Sequence, residues 1–280
     1  LLSTLKKGFD FLLFTSIIIA GYAVVMTYQT FLLFDFPINH TLLWFVWFGT
    51  LCSYNFHWLL TPAPASTATK AHWHFRNRSL HITIAGIGLL GASYFGFHLL
   101  SFWPWLLSIA FITFLYSAPK LPFPPFNQLQ KIAVAKTAFL TLVWTYVTAI
   151  LPLVVNTNDW TWDQHLYIFN RFYFIYAICI LFDNRDKESD RQQGIRSLVT
   201  NITDKGISVL FWTTIAVTLL SNIAIFYFFP FLESLTFLIP LFILSLMNLP
   251  INKTKSDYYY YFILDGLMML SGLLLIFIQI

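Results

Sequence analysis

Charge is the scarcest commodity in this chain. Only 10% of its 280 residues are Asp, Glu, Lys or Arg, and no Asp or Glu occurs between Asp35 and Asp159. A water-soluble domain of this length cannot cover its surface with so few charges, so an ordinary soluble enzyme is excluded. Cysteine is nearly as rare. Cys52 and Cys179 both fall inside apolar runs and read as small packing residues, which excludes a disulfide framework. The short alternating segments of a membrane β-barrel are missing. No linker marks a second domain, so residues 1–280 read as a single integral membrane domain.

What the chain has is apolar length. It is 58% hydrophobic and 20% aromatic, with a mean hydropathy of +0.70. Nine apolar segments stand out, at about 9–28, 41–60, 80–99, 102–117, 132–154, 166–182, 207–229, 232–249 and 259–279. Most approach the ~20 residues that an α-helix needs to cross a bilayer. The expected fold is all-α: a polytopic membrane bundle of about nine transmembrane helices. Lys6 and Lys7 ahead of the run from Phe11 to Met26 imitate a secretory leader. That run is long for a leader and the rest of the chain is equally apolar, so it reads as a retained first span.

With the N-terminus in the cytoplasm, alternate loops collect every one of the 16 Lys and Arg residues except Arg171 on that side or at its membrane border. The positive-inside rule then sets the orientation, in a cell inner (plasma) membrane with the polar chemistry facing the cytoplasm. Arg171 and Asn170 fall near the opposite face, where Arg171 is expected to reach Asp163 or the headgroups. Three longer loops lie on the cytoplasmic side, at about 60–79, 117–131 and 183–206.

The last of these is the most informative. Asp183, Asp186, Glu188 and Asp190 put four of the 12 acidic residues into eight positions. The three aspartates are spaced i, i+3, i+7, which predicts one face of a helix. Crowded carboxylates repel unless a cation joins them, and oxygen-rich clusters suit Mg²⁺, often shared with a substrate phosphate. A solvated charged loop between two membrane helices is the plainer alternative.

The pattern Asp186-x-x-x-Asp190-x-x-x-Gly194-x-Arg196-Ser197-Leu198, preceded by Asp183-x-Arg185, resembles the second aspartate-rich motif of the UbiA-type intramembrane prenyltransferases. The stretch Leu115-Tyr116-Ser117-Ala118-Pro119-Lys120 resembles the Tyr-Ser-x-Pro loop that follows the fourth helix of that family. The resemblance spans essentially the whole chain. It implies transfer of a prenyl group from a prenyl diphosphate to an aromatic or lipophilic acceptor, with Mg²⁺ as cofactor. It also implies residue roles. Asp183, Asp186 and Asp190 would hold metal, Arg196, Lys120 and Lys131 would face phosphate oxygens, and Tyr116 would border the diphosphate or the reacting carbon. Membrane lipid is the surrounding partner and no nucleic acid is expected.

The family's first acidic motif, near the end of the second helix, is degenerate here. That region reads Ser53-Tyr54-Asn55-Phe56-His57-Trp58 and runs on to Lys70, His72, His74, Arg76 and Arg78. Asn55 matches the Asn of the motif, but the carboxylates have no counterpart. Asn55, His57, Lys70, His72, His74 and Arg76 are therefore candidates for direct diphosphate binding. Histidine ligation of a softer metal and loss of catalysis with the fold retained are the alternatives. Asp265, inside the last apolar segment, is a further substrate-site candidate, since a carboxylate there costs about 2.5–3.5 kcal/mol on insertion scales. A partner in helix packing is its plainer reading. Two other functions compete: a non-catalytic relative that binds isoprenoid lipid or a membrane partner, and a small-solute transporter using Asp265.

Overall fold

The computed structural model describes residues 2–61, 69–117, 135–192, 197–247 and 256–279. They fold into helices, with no strand among the described residues. The helices are α1 (Leu2–Phe14), α2 (Ile17–Leu33), α3 (His40–Leu59), the short α4 (Thr69–Arg76), α5 (Arg78–Phe97) and α6 (Trp103–Ser117). They continue with α7 (Ala135–Thr145) and α8 (Leu151–Asn156), joined through a widened turn at Tyr146–Ile150, and then α9 (Trp162–Gln192) and the single turn α10 (Leu198–Asn201). The last three are α11 (Asp204–Phe228), α12 (Phe231–Met247) and α13 (Asp265–Gln279), the last entered through a second widened turn at Tyr259–Leu264.

All nine apolar segments are helical where described. Among the described residues six helical stretches are long and apolar enough to cross a membrane, and a seventh crossing arises if α1 and α2 count as one span. That is fewer than the nine expected. α3 has the length, at 20 residues, but its His, Trp, Tyr and Asn dilute its hydropathy, and α12 is short at 17 residues. The outward faces are apolar, with Leu90 74% and Leu220 67% exposed. A patch-covered surface of this kind is one that lipid, not water, solvates.

Local chemistry sets the breaks. α1 and α2 meet at a bend of 58°, where Ser16 takes a left-handed conformation at φ 64° and the Thr15 hydroxyl donates to the Phe11 carbonyl at 2.6 Å. The widened turn before α8 lies just ahead of Pro152. Proline has no N–H and its ring crowds the carbonyl four residues back. That carbonyl belongs to Thr148, and it accepts the Thr30 hydroxyl at 2.6 Å. Helix starts are capped where sequence allows: Asn39 accepts from the Leu42 N–H, Thr203 from the Gly206 N–H, and Ser197 shares a capping box with Thr200.

α2 is buried around most of its circumference and sits against α3, α8 and α13, while α9 packs on α7 and α11. α5 is peripheral and rides on α3, with Gly88 and Gly91 in the seam. The bundle thus has two distinct ends. At one, Phe34 meets Tyr167 and Phe229. At the other, His57 of α3 meets Ser117 of α6, Thr137 of α7 meets Asp183 of α9, and Asp10 and Phe14 of α1 meet Tyr258 on the approach to α13.

Candidate functional site

α9 does not stop where its apolar stretch ends. It continues to Gln192, so Asp183, Asp186 and Asp190 are helical, as their spacing predicts. Their surroundings differ. Asp183 is buried and accepts the Thr137 hydroxyl of α7, and Asp190 is buried one face-repeat further on. Asp186 is 39% exposed and accepts Arg185 Nε at 2.8 Å.

The described basic residues of this stretch, Arg185, Lys187 and Arg191, are committed to holding it in place. The Arg185 guanidinium lies 4.4 Å from the Tyr260 ring centre, 4.9 Å from that of Tyr261 and 5.2 Å from that of Phe182. It also donates to the Tyr261 hydroxyl at 2.9 Å and lies 3.8 Å from Asp257. Aromatic faces substitute for water around a cation that cannot shed its charge. Lys187 reaches Asp204 at 2.9 Å and the Ile202 carbonyl, while Arg191 caps the Thr200 carbonyl. Tyr258, just before the last span, donates to Asp10 at 2.6 Å, and burial together with that carboxylate pushes its hydroxyl up to about 12.

Inward of the motif, several helices converge on Tyr54, which the sequence reading passed over. Its hydroxyl accepts Trp144 Nε1 at 3.0 Å and lies in electrostatic reach of Asp265, Tyr116 and Cys179. Asp265 is buried and also near Tyr22. The His57 ring stacks on Tyr116 at 4.9 Å, and its Nδ1 is 3.2 Å from Ser117 Oγ. His57 and Tyr116, far apart in sequence, are therefore in contact, and Tyr116 and Asp265 both act electrostatically on the Tyr54 phenol.

Asn55 belongs to a different assembly. Its amide nitrogen donates to the Thr15 carbonyl at 3.0 Å and the Leu51 carbonyl at 2.8 Å, which leaves Oδ1 as an acceptor. His81 Nδ1 is 2.6 Å from that Oδ1, and His81 Nε2 is 2.6 Å from His74 Nδ1. The amide orientation fixes the chain: His81 must donate from Nδ1, and with both rings neutral His74 must donate from Nδ1 to His81 Nε2. His74 is buried and stacks on Trp58 at 3.9 Å. Sequence reading grouped His74 with His72, its neighbour. The operative spacing is seven residues, His74 to His81, carried across the one-residue break between α4 and α5 at Asn77.

Replacing His81 with leucine removes the bond to Asn55 Oδ1 and the bond to His74 Nδ1 together. Each buried group that loses its hydrogen-bond partner in this way costs about 1–3 kcal/mol. The expected result is a clear drop in the midpoint of thermal unfolding in detergent; an unchanged midpoint would mean the chain of bonds contributes nothing.

His72 and Arg76 are exposed on α4. The side chain of Lys70, and Lys120, Lys131 and Arg196 in full, lie outside the described residues. Arg171 departs from its expected place. It does not reach Asp163 or snorkel outward, but is 5% exposed and turned into the bundle. Nη1 donates to the Met26 carbonyl at 3.2 Å and Thr148 Oγ1 at 3.1 Å, and Nη2 donates to Gln29 Oε1 at 2.6 Å and to the Tyr167 hydroxyl. With this geometry in hand, comparison with known proteins finds that no family model, no curated protein and no solved structure matches the chain.

Proposed function

We propose that this chain is an intramembrane prenyltransferase of the UbiA type, moving a prenyl group from a prenyl diphosphate to an aromatic or lipophilic acceptor. On this reading the nine helical segments form the family's bundle, in a cell inner membrane with the active face toward the cytoplasm. The observation that carries the proposal is the burial of Asp183 and Asp190 on one face of α9, at the end of the bundle where His57 and Tyr116 meet. Carboxylate oxygens placed in this way suit a Mg²⁺ brought in with a diphosphate.

The donor set fits Mg²⁺ in one mode. No group of three or more His, Cys, Asp or Glu is gathered for a metal among the described residues. A closed protein cage is thus not built there, but Mg²⁺ commonly binds through one or two carboxylates, keeps waters and takes the rest from substrate phosphate. Asp183 and Asp190 would hold it, with Asp186 at the more exposed edge. When bound, the ion neutralises the departing diphosphate. The C–O bond to the prenyl carbon breaks with its electron pair leaving on diphosphate, and the acceptor captures the allylic cation and releases a proton. Tyr116 and Tyr54 offer faces to that cation. Lys120, Lys131 and Arg196 are assigned to the phosphate oxygens by the family resemblance. Asn55 serves here as the anchor of the histidine chain, and His57 of the same helix stacks on Tyr116.

The test is release of diphosphate by purified protein in lipid nanodiscs, given Mg²⁺, an acceptor mixture and prenyl diphosphates of several chain lengths. Magnesium-dependent release supports transfer. A second reading rests on the lack of any Asp or Glu from residue 36 to 158, which leaves the first metal half-site without carboxylates. Saturable binding of a prenyl diphosphate with no release at any chain length would establish that non-catalytic alternative.

A further inference from the structure

Arg171 poses a charge problem that the prenyl-transfer reading does not use. Twelve residues separate it from Asp183 along α9, about 18 Å at the rise of an α-helix. It lies nine residues, about 14 Å, from the other end of that helix, well within the apolar span. A guanidinium stays protonated at any physiological pH, so the interior carries a full positive charge there. Its four hydrogen-bond partners are a backbone carbonyl, a threonine, a glutamine and a tyrosine, all neutral groups. No carboxylate lies within 4.0 Å of it among the described residues. The other two enclosed cations of α9 do have carboxylates, Arg185 with Asp186 and Lys187 with Asp204.

Neutral acceptors orient their dipoles toward a cation but do not cancel its charge. A charge left unmatched in an apolar interior is among the costliest features a membrane protein can carry. Beside Arg171 is a small cavity that it lines with Gln29, Asn170, Thr218, Ser271 and Phe174. Two N–H donors of this lining are unspent among the described residues. One is Arg171 Nε–H, because the four bonds all come from the terminal nitrogens. The other is the second amide hydrogen of Gln29, whose Nε2 makes one bond, to Ser271 Oγ at 2.7 Å. The cavity has room for a monatomic ion or a water molecule and none for an organic headgroup.

We infer that this cavity binds a small monovalent anion of chloride size as the counter-ion of Arg171. The anion takes the Nε–H of Arg171 and the free amide hydrogen of Gln29. It thereby bridges α2 and α9 beside the bond that Gln29 already makes to Ser271 of α13. The site is separate from the acidic motif and does not depend on the activity proposed for it.

The experiment is thermal unfolding of the full chain, purified free of chloride in gluconate and titrated with chloride at constant ionic strength. A ligand that binds only the folded state raises the unfolding midpoint in a saturable way. The expected result is such a rise with chloride, a similar one with bromide and none with sulfate. Gln29→Glu places a carboxylate against Arg171 in nearly the same volume. In that variant the midpoint in gluconate should climb toward the wild-type value in chloride, and the halide response should vanish. Bromide-soaked crystals of the wild type should show an anomalous peak within hydrogen-bond distance of Arg171, a readout that needs no variant to fold. A midpoint equally high in gluconate and chloride, a halide response that survives in Gln29→Glu, or water in place of an anomalous peak would each overturn the inference.

Discussion

Gly88→Val will leave little or no folded protein, and Gly88→Ala will lower the unfolding midpoint sharply. A Cβ built on Gly88 falls 2.6 Å from the Cys52 backbone nitrogen, 2.9 Å from its Cα and 2.9 Å from the Phe48 carbonyl oxygen. All three are backbone atoms of α3, so no rotamer change relieves the clash and the two helices must move apart. Overpacking a well-filled interface costs about 1–3 kcal/mol and occasionally more. The upper end applies here because the seam of α3 and α5 is what holds α5 to the bundle. Small residues permit such close approach where lipid gives no hydrophobic drive for association. Two neighbours on the same helix calibrate the result. A Cβ at Gly91 meets only the Phe48 ring, at 2.4 Å, and a ring can turn, so Gly91→Ala should be milder. At Gly86 nothing lies within 4 Å, and Gly86→Ala should be neutral or slightly stabilising because alanine loses less backbone freedom in a helix. Size-exclusion profiles and thermal scans of the four variants check the order. If Gly88→Ala behaved like Gly86→Ala, the helices would not be in backbone contact.

How far sequence carries is best judged residue by residue. The apolar segments foretold the helices, because length without alternation leaves the chain no other way to satisfy its backbone in lipid. The acidic spacing foretold that Asp183, Asp186 and Asp190 share a helix. It could not foretell that they divide, two turned inward and Asp186 drawn aside by Arg185. That division depends on Phe182, Tyr260 and Tyr261 forming a cage with residues some 75 positions away. The bend at Thr15–Ser16 carries no glycine or proline to announce it. For Arg171 the sequence offers Asp163, the nearest carboxylate along the chain, or the headgroups. Its partners lie on α2, on α9 itself and in the turn before α8, where Thr148 sits four residues ahead of Pro152. His81 was overlooked for a simpler reason. Its spacing to His74 is visible, but the hydrogen bond to Asn55 that gives the pair meaning joins residues that only the packing of α3 on α5 brings together.

The second large effect concerns the buried carboxylates. Under the proposed chemistry, Asp190→Asn and Asp183→Asn should each lower prenyl transfer by about 10²–10³-fold, the scale on which removing one preorganised charge-stabilising group acts. Asparagine matches the shape of aspartate, and its amide oxygen can still accept the Thr137 hydroxyl at position 183. The substitution therefore removes charge and little else. Unfolding midpoints measured without metal separate the two roles: loss of turnover at an unchanged midpoint is the signature of a charge retained for work rather than for packing. Glu188→Gln is the control. Glu188 sits on the same stretch of helix but is exposed and engaged only with Arg191 at 3.4 Å, so its removal should change transfer less than twofold, in keeping with the small worth of an exposed ion pair. Asp186→Asn should fall between these limits, because the carboxylate is partly exposed and already shares its charge with Arg185. A ranking in which Asp190→Asn retains full Mg²⁺-dependent activity, or in which Glu188→Gln loses as much as Asp183→Asn, would show that burial on the inward face of α9 does not mark the residues that meet the diphosphate.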